Sequence, residues 1–166
     1  MRLSGYQTKG FVMQDGERYC LLISRETGMP LYYPNLYMTT QVRNSSKSVA
    51  AMESALTGIN VLLSFCGQRQ IDLIGRFLKH EYFSLHELDA IRDYCQQTFS
   101  TRPGGVPQGV VPFAGRGKSR STRKTGLANE YNRLTHIAKY VEWLARILLT
   151  GVVDKRISLS IDKKKK

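Results

Sequence analysis

The chain has 166 residues, of which 25 are Lys or Arg and 13 are Asp or Glu, so its formal net charge is +12. Residues 1–100 carry ten basic and nine acidic side chains, whereas residues 101–166 carry fifteen basic and four acidic ones. Such a concentrated positive field attracts polyanions, either nucleic acid or an anionic membrane surface. The hydrophobic content of 42% argues against a wholly disordered chain, and the length fits one domain or two small ones.

Several classes of protein are disfavoured at once. The sequence has no apolar run of the roughly 18 residues that cross a bilayer, and Met1–Gly10 has no apolar signal-peptide core. Cys20, Cys66 and Cys95 are odd in number, form no C-x-x-C pair and lie in apolar patterns. We therefore expect buried free thiols in a cytoplasmic protein, with neither a disulfide scaffold nor a zinc site.

Residues 1–40 have the pattern of a small β element. The runs Gly10–Gln14 and Glu17–Ser24 are rich in strand-forming residues and flank Asp15-Gly16. This dipeptide is typical of a two-residue type I′ hairpin turn, in which both central residues have positive φ. Met29–Tyr33 is a candidate third strand, ended by Pro34. Because a lone hairpin is marginal in water, we expect this ribbon to pack on the rest of the chain.

A helical domain is predicted for residues 41–151, because the apolar period changes to about 3.6 from Ser45 onward. Ser45, Ser46 and Ser48 are candidate N-caps of its first helix, and Gly67 is suited to its end. The apolar stripe of this helix consists of Val49, Met52, Leu56, Ile59, Leu63 and Cys66.

Two shorter helices are predicted next. The second covers Ile71–Lys79, with four residues expected to face inward, namely Ile71, Ile74, Phe77 and Leu78. The third begins with a capping box between Ser84 and Glu87, and Phe83 and Leu88 are placed for a hydrophobic staple. Its buried face is expected to be Leu88, Ile91 and Cys95, and its end about Thr98.

A long insert, residues 99–125, interrupts the helical pattern with repeated Gly and Pro. A loop of this length in a compact domain is usually functional or disordered. Its end, Arg116–Lys124, holds five positive charges separated only by Gly, Ser and Thr.

A fourth helix is predicted from Leu127 to Leu149, ended by Gly151. Its core stripe is Leu127, Tyr131, Leu134, Ile137, Val141, Leu144 and Leu148. Lys139 and Arg146 lie on its other side. Residues 152–166 form a basic C-terminal segment or linker that ends in four lysines.

The residue pattern favours nucleic-acid binding over catalysis. His80, His86 and His136 lack metal-ligand spacing, so we expect no metal, no cofactor and no small-molecule substrate. Lys and Arg release counterions from phosphates, and Ser, Thr and helix N-termini donate hydrogen bonds to phosphate oxygens. The predicted DNA contacts are Arg43, Ser46, Lys47, Arg116, Lys118, Arg120, Ser121, Thr122, Arg123 and Lys124, followed by Lys139 and Arg146.

Four segments carry a resemblance to a known family. They read "GMPLYYPNLYMTTQVRNSSKSVAAMESALTGINVLLSFC", "QIDLIGRFL", "SLHELDAIRDYC" and "NRLTHIAKYVEWLARILL". From about Gly28 to Gly151, this resembles the N-terminal half of tyrosine recombinases, the phage-type integrases of bacterial mobile elements. The resemblance implies a mainly α fold, with a small β-ribbon before a four-helix, SAM-like core-binding bundle. It also implies that this part clasps duplex DNA at a recombination site, with no membrane contact.

The chain departs from the family in its chemistry. Family members cut DNA with a tyrosine, assisted by two arginines, a lysine and histidines in a separate domain. The H-x-x-R motif is absent, because the residues three after the histidines are Phe83, Asp89 and Lys139. We therefore expect this chain alone to be no enzyme, although its parent protein would be a strand-exchange recombinase. An expressed fragment, a natural truncation and a stand-alone relative all fit, as does self-association on DNA.

Several alternatives to the recombinase module remain at the level of sequence. One is a catalytically complete enzyme of unknown type, whose pocket the residue pattern does not reveal. The chain could be a stand-alone nucleic-acid-binding protein of a mobile element, with RNA as well as DNA open as its ligand. It could also be a protein–protein adaptor whose basic loop binds an acidic partner. The expected location is the bacterial cytoplasm, at the nucleoid when DNA is bound.

Overall fold

A computed structural model describes residues 5–45, 48–97 and 126–163, without the side chains of Ser45 and of residues 151–163. The mainly helical class with an N-terminal hairpin is confirmed. Within the described residues, a π-helical turn, Met38–Val42, and a 3-10 turn, Arg43–Ser45, lie between the first two helices. The strands and helices are β1 Tyr6–Val12, β2 Arg18–Ser24, α1 Tyr32–Tyr37, α2 Val49–Gln68, α3 Leu73–Leu78, α4 Leu85–Cys95 and α5 Leu127–Lys163.

The hairpin has a longer loop than predicted. β1 and β2 are antiparallel, and their last pair is Val12 with Arg18. The N–H of Met13 donates to the carbonyl of Glu17 at 2.7 Å, and the N–H of Gly16 donates to the carbonyl of Met13 at 3.0 Å. In this loop Gly16 alone has positive φ, at 82°. The predicted type I′ turn is therefore wrong, because the Met13–Glu17 hydrogen bond closes a three-residue loop, which needs only one left-handed residue.

The predicted third strand, Met29–Tyr33, is also wrong. It contributes a single bridge, between Pro30 and Ile23, before α1 begins. The side chain of Asn35 takes the place of a strand: its Oδ1 accepts the N–H of Leu22 at 2.8 Å, and its Nδ2 donates to the carbonyl of Leu22 at 2.9 Å. Pro34 lies in the first turn of α1, where its missing N–H breaks no helical bond.

Helix α2 is the centre of the core. The Oγ of Ser48 accepts the N–H of Ala51 at 3.4 Å, so Ser48 is the N-cap among the three predicted candidates. The helix continues through Gly67, and Gln70 takes the left-handed conformation with φ of 55°. Its buried apolar side chains cover most of its circumference: Met52, Ala55, Leu56, Ile59, Val61, Leu62, Phe65 and Cys66.

The apolar character of α2 corrects one sequence expectation. By length and composition this helix could cross a membrane, although no such run was predicted. Most of it is buried within the fold, as in a core helix of a soluble protein. A single helix of this kind is weak support for a membrane span.

Helices α3 and α4 differ from prediction in which side chains they bury. In α3, Leu73 and Phe77 are buried, whereas Ile74 and Leu78 are 38% and 45% exposed. Asp72 caps α3 by accepting the N–H of Gly75 at 3.0 Å, and this start sets the helix phase.

The predicted capping box of α4 is confirmed. The N–H of Glu87 donates to the Oγ of Ser84 at 3.3 Å, and the Glu87 carboxylate accepts the N–H of Ser84 at 2.9 Å. Leu88 is 49% exposed rather than buried, and α4 ends at Cys95. Its buried face is Ile91, Tyr94 and Cys95.

Helix α5 is longer than predicted and has a shorter core stripe. It passes through Gly151 to Lys163, because one Gly in a helix costs only about 1 kcal/mol. Leu127 and Tyr131 are 84% and 70% exposed, although both were predicted to be in the core. The buried positions are Ile137, Tyr140, Leu144 and Leu148.

Candidate nucleic-acid interface

The net charge is divided unevenly between two sets of residues. We define the packed body as residues 5–45, 48–97 and 126–150. It holds eleven basic and eleven acidic side chains, a net charge of zero. The remaining residues, which we call the flanking segments, hold fourteen basic and two acidic side chains, a net charge of +12. The body itself therefore contributes no net attraction for a polyanion.

Helix α5 packs along α2. The Oγ of Ser54, the sixth residue of α2, lies 3.3 Å from Nε2 of His136, the tenth residue of α5. Further along, Leu63 and Cys66 line the same cavity as Tyr140 and Leu144. The two helices therefore run in the same direction, and their positive dipole ends point the same way.

The residues that flank the basic insert are hydrogen-bonded to one another. The Nε2 of Gln96 donates to the Glu130 carboxylate at 3.1 Å, across the residues that precede and follow the insert. The Arg133 guanidinium donates to the carbonyls of Cys95 and Gln97 at 2.7 and 2.8 Å. The two sides of the insert therefore lie close together, where the C-terminal end of α4 meets α5.

Arg133, on α5, has a structural role. Its burial lowers the pKa of the guanidinium, and it binds the carbonyls at the C-terminal end of α4. Arg133 is more than 30 residues away from Cys95 and Gln97 in the chain, so no local sequence signal connects it with them.

Arg43, predicted to contact DNA, is held in an ion pair with Glu17. Its Nε donates to the Glu17 carboxylate at 3.0 Å, Nη2 donates to the other carboxylate oxygen, and the guanidinium lies 5.4 Å from the centre of the Tyr19 ring. The hydrogen bonds that Arg43 donates to Glu17 raise the pKa of Arg43. This pair connects the hairpin to the residues before α2.

Lys139 and Arg146 are brought together by the fold. They line a groove of about 230 Å³ with Gln41 and Trp143, between the π-helical turn and α5. Lys139 is exposed, whereas Arg146 donates to the Glu142 carboxylate at 2.8 Å as an i,i+4 pair. Gln41 and Trp143 are neighbours of the predicted cations that the sequence did not single out.

The remaining predicted contacts lie outside the described residues. They are Ser46, Lys47, Arg116, Lys118, Arg120, Ser121, Thr122, Arg123 and Lys124. Lys47 directly precedes the N-cap Ser48, and Lys124 lies three residues before the first residue of α5. In the chain, these residues therefore adjoin the starts of α2 and α5.

The buried cysteines match the sequence prediction. Cys20, Cys66 and Cys95 are free and buried, and burial raises the pKa of each thiol to about 11. Thiols of such pKa stay protonated at neutral pH and are poor nucleophiles. Over the described ranges, no group of three or more His, Cys, Asp or Glu is placed to hold a metal ion.

Comparison of the chain with protein-family models, with curated proteins and with solved structures finds no match. The function is therefore inferred from the charge distribution and geometry of this chain.

Proposed function

We propose that the chain is the DNA-binding module of a site-specific tyrosine recombinase, an integrase, and that it clamps duplex DNA at a recombination site. The division between a neutral packed body and flanking segments of +12 supports binding to a polyanion, and the resemblance of the sequence from about Gly28 to Gly151 to tyrosine recombinases supports the specific role. The basic insert joins the body where the C-terminal end of α4 meets α5. The helices would correspond to the SAM-like core-binding bundle and the hairpin to the N-terminal arm element.

In this proposal the contacts are dominated by the phosphate backbone. Residues of the insert, such as Arg120, Arg123 and Lys124, neutralise phosphates and release counterions. The free N–H groups at the starts of α2 and α5 add hydrogen bonds from the positive ends of the helix dipoles. Lys139 and Arg146 form a second, smaller contact. Self-association on the DNA and a cytoplasmic, nucleoid-bound location accompany this role.

The chain is expected to bind DNA without cutting it. H-x-x-R is absent from the sequence, and no tyrosine can be assigned as a nucleophile. Incubation with supercoiled plasmid should therefore produce neither nicked nor relaxed DNA, even at protein concentrations that saturate binding. Relaxation by the purified chain would instead identify a complete enzyme.

The binding itself is tested by fluorescence anisotropy of a labelled short duplex over a salt series. The logarithm of the affinity should fall steeply and linearly with the logarithm of the salt concentration, by about 0.9 for each neutralised phosphate. A flat dependence would contradict the proposal. Competition with duplex RNA distinguishes the RNA-binding alternative, and a stoichiometric complex with an acidic protein, without nucleic-acid binding, would indicate the adaptor.

A further inference from the structure

A cavity of about 380 Å³ opens where β1, α1, α2, α3 and α5 meet. This volume is within the range of small-molecule sites. Its floor is built of fully buried side chains, including Tyr140 and Leu144. At its mouth lie Tyr32, which is 72% exposed, and Ile74, which is 38% exposed. Exposed large apolar side chains beside a cavity mark a surface suited to a ligand.

Aromatic and aliphatic side chains line this cavity together. Four tyrosines contribute to it, Tyr6, Tyr32, Tyr33 and Tyr140. The Tyr32 and Tyr33 rings are perpendicular, with centres 5.1 Å apart and an interplanar angle of 81°. The negative face of a tyrosine ring attracts a cation, and quaternary ammonium groups are commonly held in this way. We call this cavity the tyrosine pocket.

The charge of the lining also favours a cation. Asp72 is the one charged side chain among the described residues that line the tyrosine pocket. Its position is fixed, because Oδ1 accepts the N–H of Gly75 at 3.0 Å. A Cβ on residue 75 would lie 2.2 Å from Oδ2, so only Gly lets the carboxylate rest there. A carboxylate can accept several hydrogen bonds, so capping α3 leaves it capacity for a ligand.

We propose that the tyrosine pocket binds a small apolar molecule that carries an ammonium group. The apolar part would lie against the Tyr140 and Leu144 floor, and the ammonium group would lie between the tyrosine rings and Asp72. An anion would meet the Asp72 carboxylate and be repelled. This inference does not depend on DNA binding, and the site would hold a ligand without converting it.

The test is a ¹H–¹⁵N NMR titration of the full chain with three probes of similar size and different charge. They are benzyltrimethylammonium, benzyl alcohol and phenylacetate. The ammonium probe should bind at least about fivefold more tightly than benzyl alcohol, with phenylacetate weakest. The amides of Tyr33, Ile74 and Gly75 should show the largest shifts. Equal affinity for the ammonium probe and the alcohol, or no binding of the ammonium probe in the millimolar range, would overturn the proposal.

Two variants locate the site, and a third is the matched control. Asp72→Asn keeps an N-cap residue but removes the charge, and should weaken the ammonium probe about fivefold without affecting benzyl alcohol. Tyr32→Leu removes an exposed ring and should also weaken the ammonium probe. Asp93→Asn removes an exposed carboxylate on α4 and should leave its affinity unchanged. Unchanged affinity in Asp72→Asn would contradict the proposal.

Discussion

The packed body and the flanking segments differ in their net charge. The body has equal numbers of basic and acidic side chains, and several of its arginines are bound to carboxylates or carbonyls. The flanking segments have the whole excess of +12. Charges that hold a fold together are already neutralised by their partners, so they offer little to a polyanion. Total net charge therefore says less about binding than where that charge lies.

The largest expected effect concerns the stability of the packed body. Tyr140 is 2% exposed and packs edge-on against Tyr37 and stacked against Trp143, with ring centres 5.5 and 6.1 Å away. Tyr140→Ala should lower the free energy of unfolding by about 3–5 kcal/mol, because it leaves a large cavity in the core. Urea unfolding followed by circular dichroism measures this loss. A loss below about 1 kcal/mol would mean that the aromatic cluster is not a core element.

A smaller effect tests the close contact between α2 and α5 at Gly58. A Cβ on Gly58 would lie 2.9 Å from the Cβ of His136 and 3.2 Å from the carbonyl of Arg133. Gly58→Ala should destabilise the fold by about 1–3 kcal/mol through overpacking. Gly67→Ala is the control, because its Cβ would meet nothing within 4 Å and Ala favours a helix. Equal stability of the two variants would contradict the close crossing.

Local signals in the sequence predicted much of the helical fold. The wrong predictions concern features that depend on contacts between residues distant in the chain. The Ser84–Glu87 capping box is a four-residue pattern and was correct. The segment before Pro34 looked like a strand, but the amide of Asn35 bonds Leu22, 13 residues earlier, and ends the sheet there. The burial of α3 and α5 also depends on neighbours that periodicity cannot identify.

The candidate site was predicted unevenly for the same reason. Charge density identified the basic insert and the pair Lys139 and Arg146, since composition is visible in sequence. Arg43 was assigned to DNA because it lies before a helix, but its partner Glu17 is 26 residues away in the hairpin. Gln41 and Trp143 share the Lys139 groove only after folding.

The pH dependence of stability tests how much an ion pair stabilises the packed body. The hydrogen bond from Arg76, with that from the Ser84 backbone, lowers the pKa of Glu87 from 4.5 to about 2. A lowered pKa contributes stability that is present above pH 4.5 and is lost as the pH falls towards 2. Glu87→Gln keeps a residue suited to the capping box and should flatten this dependence. Thermal unfolding from pH 6 to pH 2 measures it, with Glu26→Gln expected to retain the wild-type profile.

The most direct test compares two triple variants that lose the same charge, one in each region. In Arg120→Ala, Arg123→Ala and Lys124→Ala, the salt slope of duplex binding should become less steep by about 2–3, at about 0.9 for each phosphate contact. In Lys9→Ala, Arg18→Ala and Lys79→Ala, which remove exposed cations of the body, the slope should stay within experimental error of the wild type. Equal loss of slope in both variants, or no loss in the first, would contradict the assignment of DNA binding to the flanking segments.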